Sequence, residues 1–186
     1  KDCGIRIQGK AAENFTSLFL QLWQFTTGEP VALSQFSSEK SSFKCPGFVQ
    51  PFASDPMLPN SSANNVLLHC FNRAESRLWI MTPSLIPDSE TLCSLRRSAL
   101  SGVDVRIILP HIPDKWYVHS VTRSFYRPLL ESGVRIFEYT PGFIHSKVIL
   151  SDNTALVGSI NLDYRSLVHH FENGVWMYRW SYALIV

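Results

Sequence analysis

From Arg77 to Tyr139 the chain alternates strand-length apolar runs with helix-length amphipathic stretches, and this alternation admits few folds. Arg77–Thr82 reads as a strand, and Ser89–Ser101 as a helix with Asp88 as its N-cap and Gly102 as its stop. Val103–Leu109 is the next strand. A second helix from about Trp116 to Glu131, closed by Gly133, leads to a strand over Val134–Tyr139. Two consecutive βαβ units demand a sheet with parallel neighbours and crossover helices. Beyond Pro141-Gly142, two further strands are expected over Phe143–Ser151 and Thr154–Ser159, joined by Asp152-Asn153 in a hairpin, with a last strand over Phe171–Tyr178. The expected fold class is α/β, with α/β/α layers around a mixed, partly parallel sheet.

The N-terminal part is less regular. Ile5 to Gln8 is strand-like, and Phe15, Leu18, Phe19, Leu22 and Trp23 recur at helical spacing, a stripe expected to be core. Thr26 to Pro46 turns to Ser, Thr, Gly and Pro and reads as a linker or mobile loop. Ser54 to Asn65 is a second polar interruption before a helix marked by Val66, Leu67, Cys70, Phe71 and Ala74. Hydrophobic residues at 45% against charged residues at 17% exclude a disordered or coiled-coil chain. A net charge of +2 gives little attraction for nucleic acid. Cys3, Cys45, Cys70 and Cys93 form no C-x-x-C pair and are expected as free thiols, and no apolar run reaches the length of a membrane span. Beginning at Lys1 and stopping on an apolar run, the chain is expected to be a soluble segment of something longer.

The chemistry concentrates in His145-Ser146-Lys147 with Asp152, followed by Gly158-Ser159-Ile160-Asn161. Residues two apart on a strand share a face, so His145 and Lys147 project together, and Ser159 and Asn161 offer a hydroxyl and an amide on the partner strand. Asp152 lies at odd separation and at the hairpin tip, where it is expected to brace the turn. A ring nitrogen able to act on phosphorus, a fixed cation and neutral donors make a phosphoryl-transfer site that needs neither metal nor cofactor. Gly158 admits a close approach of backbone or substrate. Against this stands the plain alternative of polar strand residues facing solvent.

The pattern H-x-K-x4-D followed by G-S-x-N resembles the phospholipase D superfamily. Asn161-Leu162-Asp163-Tyr164-Arg165-Ser166, with Phe171-Glu172, is similar to the second motif of bacterial cardiolipin synthases. Thr82-Pro83, Pro87-Asp88, Gly102 to Ile107 and Gly133-Val134 extend the likeness, and Lys1-Asp2 with Ile7, Gly9 and the Phe19 to Trp23 helix looks like the segment that follows the first motif. One departure is a hairpin shorter by a residue, with Asn153 to Val157 between the motif Asp and Gly, which puts the pairing register at issue.

The resemblance implies one half of a two-motif enzyme. Residues 1–25 would end the preceding catalytic half, 26–46 form a linker, and 47–186 form the second catalytic domain. It implies transfer of a phosphatidyl group between two phosphatidylglycerol molecules, with release of glycerol, through a phosphohistidine. His145 would serve as acid/base, with nucleophile as the alternative, beside Lys147, Asp152, Ser159 and Asn161, and Glu172 would hydrogen-bond the histidine. His69, His111, His119, His169 and His170 have no Lys two positions later, so the other motif must come from the first-motif half of the parent or from a second copy. The implied partners are an anionic phospholipid and a membrane surface, with no nucleic acid, and the parent is placed at the bacterial cell membrane with its catalytic domain cytoplasmic. Trp116, Tyr117, Phe125, Tyr126, Tyr139 and Phe143 are candidates for an acyl-chain entrance, and Arg123, Arg127 and Arg165 for headgroup contacts. The alternatives are a homodimerising phosphodiesterase or nuclease and a catalytically silent lipid-binding or packing domain.

Overall fold

The computed structural model describes residues 1–36, 47–57 and 61–179. Cys45, Trp180, Tyr182 and the Ser37–Ser42 stretch of the expected linker lie outside the described residues. The two βαβ units form as the alternation requires. Strands β2 (Arg77–Met81), β4 (Asp104–Pro110) and β5 (Arg135–Tyr139) pair in parallel, separated by helix α3 (Ser89–Leu100) and by α4 (Trp116–Ser124) with α5 (Tyr126–Leu130). Asp88 caps α3 through Oδ1, which accepts the Thr91 N–H at 2.8 Å. Gly102 and Gly133, both at φ 92°, end the two crossovers alike: the residue after each donates back to a carbonyl five positions earlier, Val103 to Ser98 and Val134 to Leu129.

The single helix expected over Trp116–Glu131 is divided at Phe125. Pro128 has no N–H to give the Ser124 carbonyl, and its ring crowds that turn, so the ladder breaks and restarts.

The hairpin β6 (Val148–Ser151) and β7 (Thr154–Gly158) adds antiparallel strands to β2. Ser151 pairs with Thr154 across the Asp152-Asn153 turn, so the shortened connection closes in a regular register. β9 (Glu172–Tyr178) pairs with β7, and an unexpected strand β1 (Phe48–Ser54) pairs with β9. The seven-stranded order is β1-β9-β7-β6-β2-β4-β5. Pro51 within β1 hid this strand from sequence reading, yet an edge position tolerates a residue without an N–H. Two further short strands, β3 (Leu85–Ile86) and β8 (Leu162–Asp163), form a separate parallel pair.

Helices α2 (Ser62–Asn72), α3 and α5 cover one face of the sheet, burying Leu67, Phe71, Leu78, Leu95, Ile107 and Leu129. On the other face Cys3, Ile5 and Ile7 pack on Ala155, Val157, Val175 and Met177. The expected strand over Ile5–Gln8 is instead an irregular segment with alternating exposure and no ladder partner among the described residues. Helix α1 (Lys10–Thr27) runs through the start of the region read as linker, and Leu33–Phe36 adds a 3-10 turn. The apolar stripe of α1 is core only in part: Phe15 packs against the cluster of Ala155, Val157, Val175 and Met177, while Phe19, Leu22 and Trp23 are largely exposed, and Leu20 beside the stripe is the buried residue of the helix. Phe19 and Leu22 border an apolar groove of about 690 Å³ between α1, β1 and Phe171. Cys3, Cys70 and Cys93 are free thiols.

Candidate active site

The expected strand over Phe143–Ser151 is regular only from Val148, so His145 and Lys147 stand just outside the ladder. The chain remains extended there. Ile144 and Ser146 are buried while His145 is exposed and Lys147 half-buried, so the two motif side chains do leave on the same side. The backbone is held by the N-terminal segment, where the His145 N–H donates to the Lys1 carbonyl at 2.7 Å. Asp2 then reaches His145, its Oδ2 lying 3.0 Å from Nδ1. This contact holds the Asp2 carboxyl below its usual range, with burial opposing and Lys147 contributing. With Nδ1 engaged, Nε2 is the nitrogen left for chemistry.

Lys147 donates its Nζ to the His145 carbonyl. Burial lowers its pKa, and the opposing charges of Asp2, Glu172 and Asp163 restore part of the loss. The expected hydrogen bond between Glu172 and His145 is replaced by another arrangement. Glu172, 8% exposed, accepts hydroxyl hydrogen bonds from Ser159 and from Ser166, and His170 Nδ1 lies 3.6 Å away. Ser159 therefore serves Glu172 and the Asn173 N–H instead of standing beside Asn161. At Gly158 the backbone of β9 comes close: a Cβ there would run into the Asn173 carbonyl. That approach allows the Ser159 N–H to donate to the same carbonyl at 2.9 Å.

Asn161 enters a cleft of about 170 Å³ that also takes in His145, Phe143 and Asp163 and is walled by Ser84, Lys115 and His119. The cleft lies at the C-terminal side of the parallel strands, with Leu109 and Pro110 of β4 on its wall, the position that open α/β sheets use for ligands. Among the six expected site residues, His145 and Asn161 share this cleft. Lys147, Ser159 and Glu172 lie behind it in the carboxylate and hydroxyl network.

Asp152 is placed elsewhere, at the hairpin tip beyond the opposite end of β6. Its carboxylate accepts the N–H groups of Glu75 at 2.7 Å and of Ser76 and Arg77 at 3.0 Å each. It braces the start of β2 and does not line the cleft.

Sequence reasoning missed Asp2, Ser166 and His119. Asp2 was invisible because its contact spans 143 positions. Ser166 had a signal: Asp163 Oδ1 accepts the Ser166 N–H at 2.8 Å, a cap at i+3 opening the π-helical turn Arg165–His169. That turn sets Ser166 Oγ to accept the Asn161 N–H and donate to Glu172. Trp116 and Tyr117 of the expected entrance are exposed on α4. Among the described residues no helix is long and apolar enough to cross a membrane, and no three His, Cys, Asp or Glu side chains are grouped to hold a metal.

Comparison with known proteins places this geometry. A cardiolipin synthase of Alkalihalophilus pseudofirmus is 37% identical over 183 residues, covering 97% of this chain and 36% of that protein. An uncharacterised protein of Streptococcus mutans is 39% identical over 180 residues, covering 96% of this chain and 39% of its own length. The chain thus spans little more than a third of these relatives. Among solved structures, the phospholipase D family member Nuc from Salmonella typhimurium superposes with a TM-score of 0.61 at 22% identity, over 75% of this chain and 98% of that one. The phosphatidylserine synthase of Haemophilus influenzae gives 0.58 at 21%, over 80% and 42%. Both structures share the fold. The family model described as cardiolipin synthase, phospholipase D-like domain matches residues 67–184, and the chain belongs to that family.

Proposed function

We propose that this chain is the second catalytic half of a cardiolipin synthase, transferring a phosphatidyl group from one phosphatidylglycerol to another. The observation that carries the reading is the cleft itself, where His145, with Asp2 on Nδ1, opens onto the same space as Asn161 and has the Lys147 ammonium behind it. In this mechanism the histidine of a first motif attacks phosphorus. The P–N bond forms as the P–O bond to glycerol breaks, and His145 Nε2 gives its proton to the departing oxygen. The hydroxyl of the second phosphatidylglycerol then passes its proton to His145 and attacks, so that the P–O bond forms and the P–N bond breaks. Lys147 and Asn161 offset charge on the phosphoryl oxygens.

Glu172, held by the Ser159 and Ser166 hydroxyls away from His145, keeps its charge near Lys147. Residues 1–25 belong to the half that carries that motif, and residues 47–186 form the catalytic domain proper, acting at a membrane surface in the bacterial cell. The relatives' much greater length favours a first half in the same chain over a second copy. The test is turnover of phosphatidylglycerol micelles by the full-length protein, with cardiolipin and glycerol released in equal amounts and a phosphohistidine trapped by acid-free quench. Hydrolysis to phosphatidic acid alone, or cleavage of nucleic acid without lipid turnover, would refute it in favour of a phosphodiesterase.

A further inference from the structure

Two buried polar side-chain atoms without a hydrogen-bond partner among the described residues belong to residues of the same cleft: Ser84 Oγ and Asn161 Oδ1. Ser84 is 7% exposed, and its backbone is locked. Its carbonyl accepts from Thr82 Oγ1 at 2.9 Å, and Thr82 Oγ1 also accepts the Leu162 N–H at 3.3 Å, tying the Ser84 turn to the segment that carries Asn161. The next N–H, of Leu85, donates to Thr122 Oγ1 of α4 at 3.4 Å, which fixes the turn to the opposite wall. A hydroxyl and an amide held this firmly, and left unsatisfied where burial is costly, await a partner supplied by a ligand.

The chemistry of that partner follows from the groups. Whichever way the Asn161 amide is turned it presents one donor and one acceptor, and the Ser84 hydroxyl does both. Asp114 and Asp163 line the cleft together with Lys115 and His119, so charges of both signs face it and a neutral ligand that both gives and takes hydrogen bonds fits this wall. We propose that Ser84 and Asn161 form a subsite for a polyol headgroup, with Ser84 receiving the hydroxyl adjacent to the one that attacks phosphorus. The subsite rests on the phosphatidyl-transfer reading and refines it: Ser84 selects the acceptor. The attacking hydroxyl forms the P–O bond, the P–N bond to the other histidine breaks, and the proton goes to His145. The neighbouring hydroxyl stays on Ser84 and sets the orientation.

The experiment uses the full-length protein with phosphatidylglycerol micelles as donor and compares 1,2-propanediol with 1-propanol as acceptor. One neutral hydrogen bond gives the diol roughly a tenfold advantage in kcat/KM. Ser84→Ala brings that ratio to within about twofold, and Ser84→Thr, which keeps a hydroxyl, retains most of it. An unchanged ratio in Ser84→Ala, or equal loss toward both acceptors, overturns the assignment. If Ser84→Ala fails to fold, the unsubstituted protein still decides: no preference for the diol overturns the subsite. Failure to transfer to any alcohol removes the phosphatidyl-transfer reading and the subsite with it, whereas transfer without diol preference removes the subsite alone.

Discussion

Replacing Asp152 separates a structural carboxylate from a catalytic one. Its two oxygens take three backbone N–H groups at the start of β2, and its own carbonyl receives the Arg77 guanidinium, with Nη2 at 2.9 Å. Its backbone sits at φ 47°, a region Asn tolerates and Ala resists. Asp152→Asn therefore keeps the turn and one acceptor oxygen while setting an amide N–H₂ against a backbone N–H. A charge-assisted bond contributes roughly 1.5–3 kcal/mol when buried, but Glu75, Ser76 and Arg77 are exposed and water takes over part of the task. The expected loss is about 1–2 kcal/mol, a fall in Tm of about 5 °C for a chain of this size. Asp152→Ala loses all three bonds and adds left-handed strain, for a total of about 3–4 kcal/mol. Burial raises the Asp152 pKa, but the N–H groups of Glu75, Arg77 and Ser76 outweigh it and the net shift is downward from 3.8. A depressed carboxylate stabilises the fold above its unfolded pKa, and the stabilisation disappears as pH falls through the folded value. Thermal melts of wild type and Asp152→Asn should thus differ at pH 7 and draw together as the pH falls below the ordinary carboxylate range. Identical melting at pH 7, combined with abolished turnover in the full-length protein, would show that the carboxylate meets the phosphate.

Other expectations follow from the same contacts. In the full-length protein His145→Ala should cost on the order of 10³-fold or more in turnover, because a cooperating catalytic pair fails as a unit; a loss below tenfold would contradict its role. Asp2→Asn should lower kcat while leaving KM nearly unchanged, and a change in KM alone would remove Asp2 from the orientation of His145. Exhaustive EDTA treatment should leave turnover in detergent micelles intact, since in the proposed mechanism Lys147 and Asn161 take the task a divalent ion performs elsewhere; complete loss restored by one specific ion would overturn the mechanism. Asp104 is pushed down to about 2 by Arg106, with burial opposing and Arg135 and Trp79 assisting, so Asp104→Asn should lower Tm at pH 7 and have a progressively smaller effect as pH falls toward about 2.

The crossover half of the fold was legible because each boundary carries its own local chemistry. Asp88 caps α3 by a bond three residues long, and Gly102 and Gly133 take the positive φ that ends each helix. What sequence could not show was set by long-range partners. β1 contradicts local preference at Pro51 and exists because β9 offers it a ladder on one side only. The α1 stripe has the periodicity of a core helix, yet burial depends on what stands opposite, and the wall facing Phe19 and Phe25 is an open groove. Periodicity reports which face is apolar and leaves open what covers it.

The site follows the same division, with a consequence for its chemistry. Spacing of two put His145 and Lys147 on one side, and this holds although neither belongs to a regular strand. Parity on the partner segment failed for a specific reason. β7 ends at Gly158, and the Ser159 hydroxyl is taken by Glu172 before it can accompany Asn161. The motif residues thus divide into a cleft wall of His145 and Asn161, a hydrogen-bonded and charged layer of Lys147, Glu172 and Ser159, and the distant brace Asp152. Leaving the ladder is what allows that division. The Lys147 carbonyl still takes the Gly158 N–H that the β6–β7 register assigns to it, but the His145 N–H, past the end of that ladder, is held by Lys1, in the segment that brings Asp2. The histidine is therefore oriented by residues on both sides of a junction between two parts of the sequence 143 positions apart, and its geometry depends on their docking.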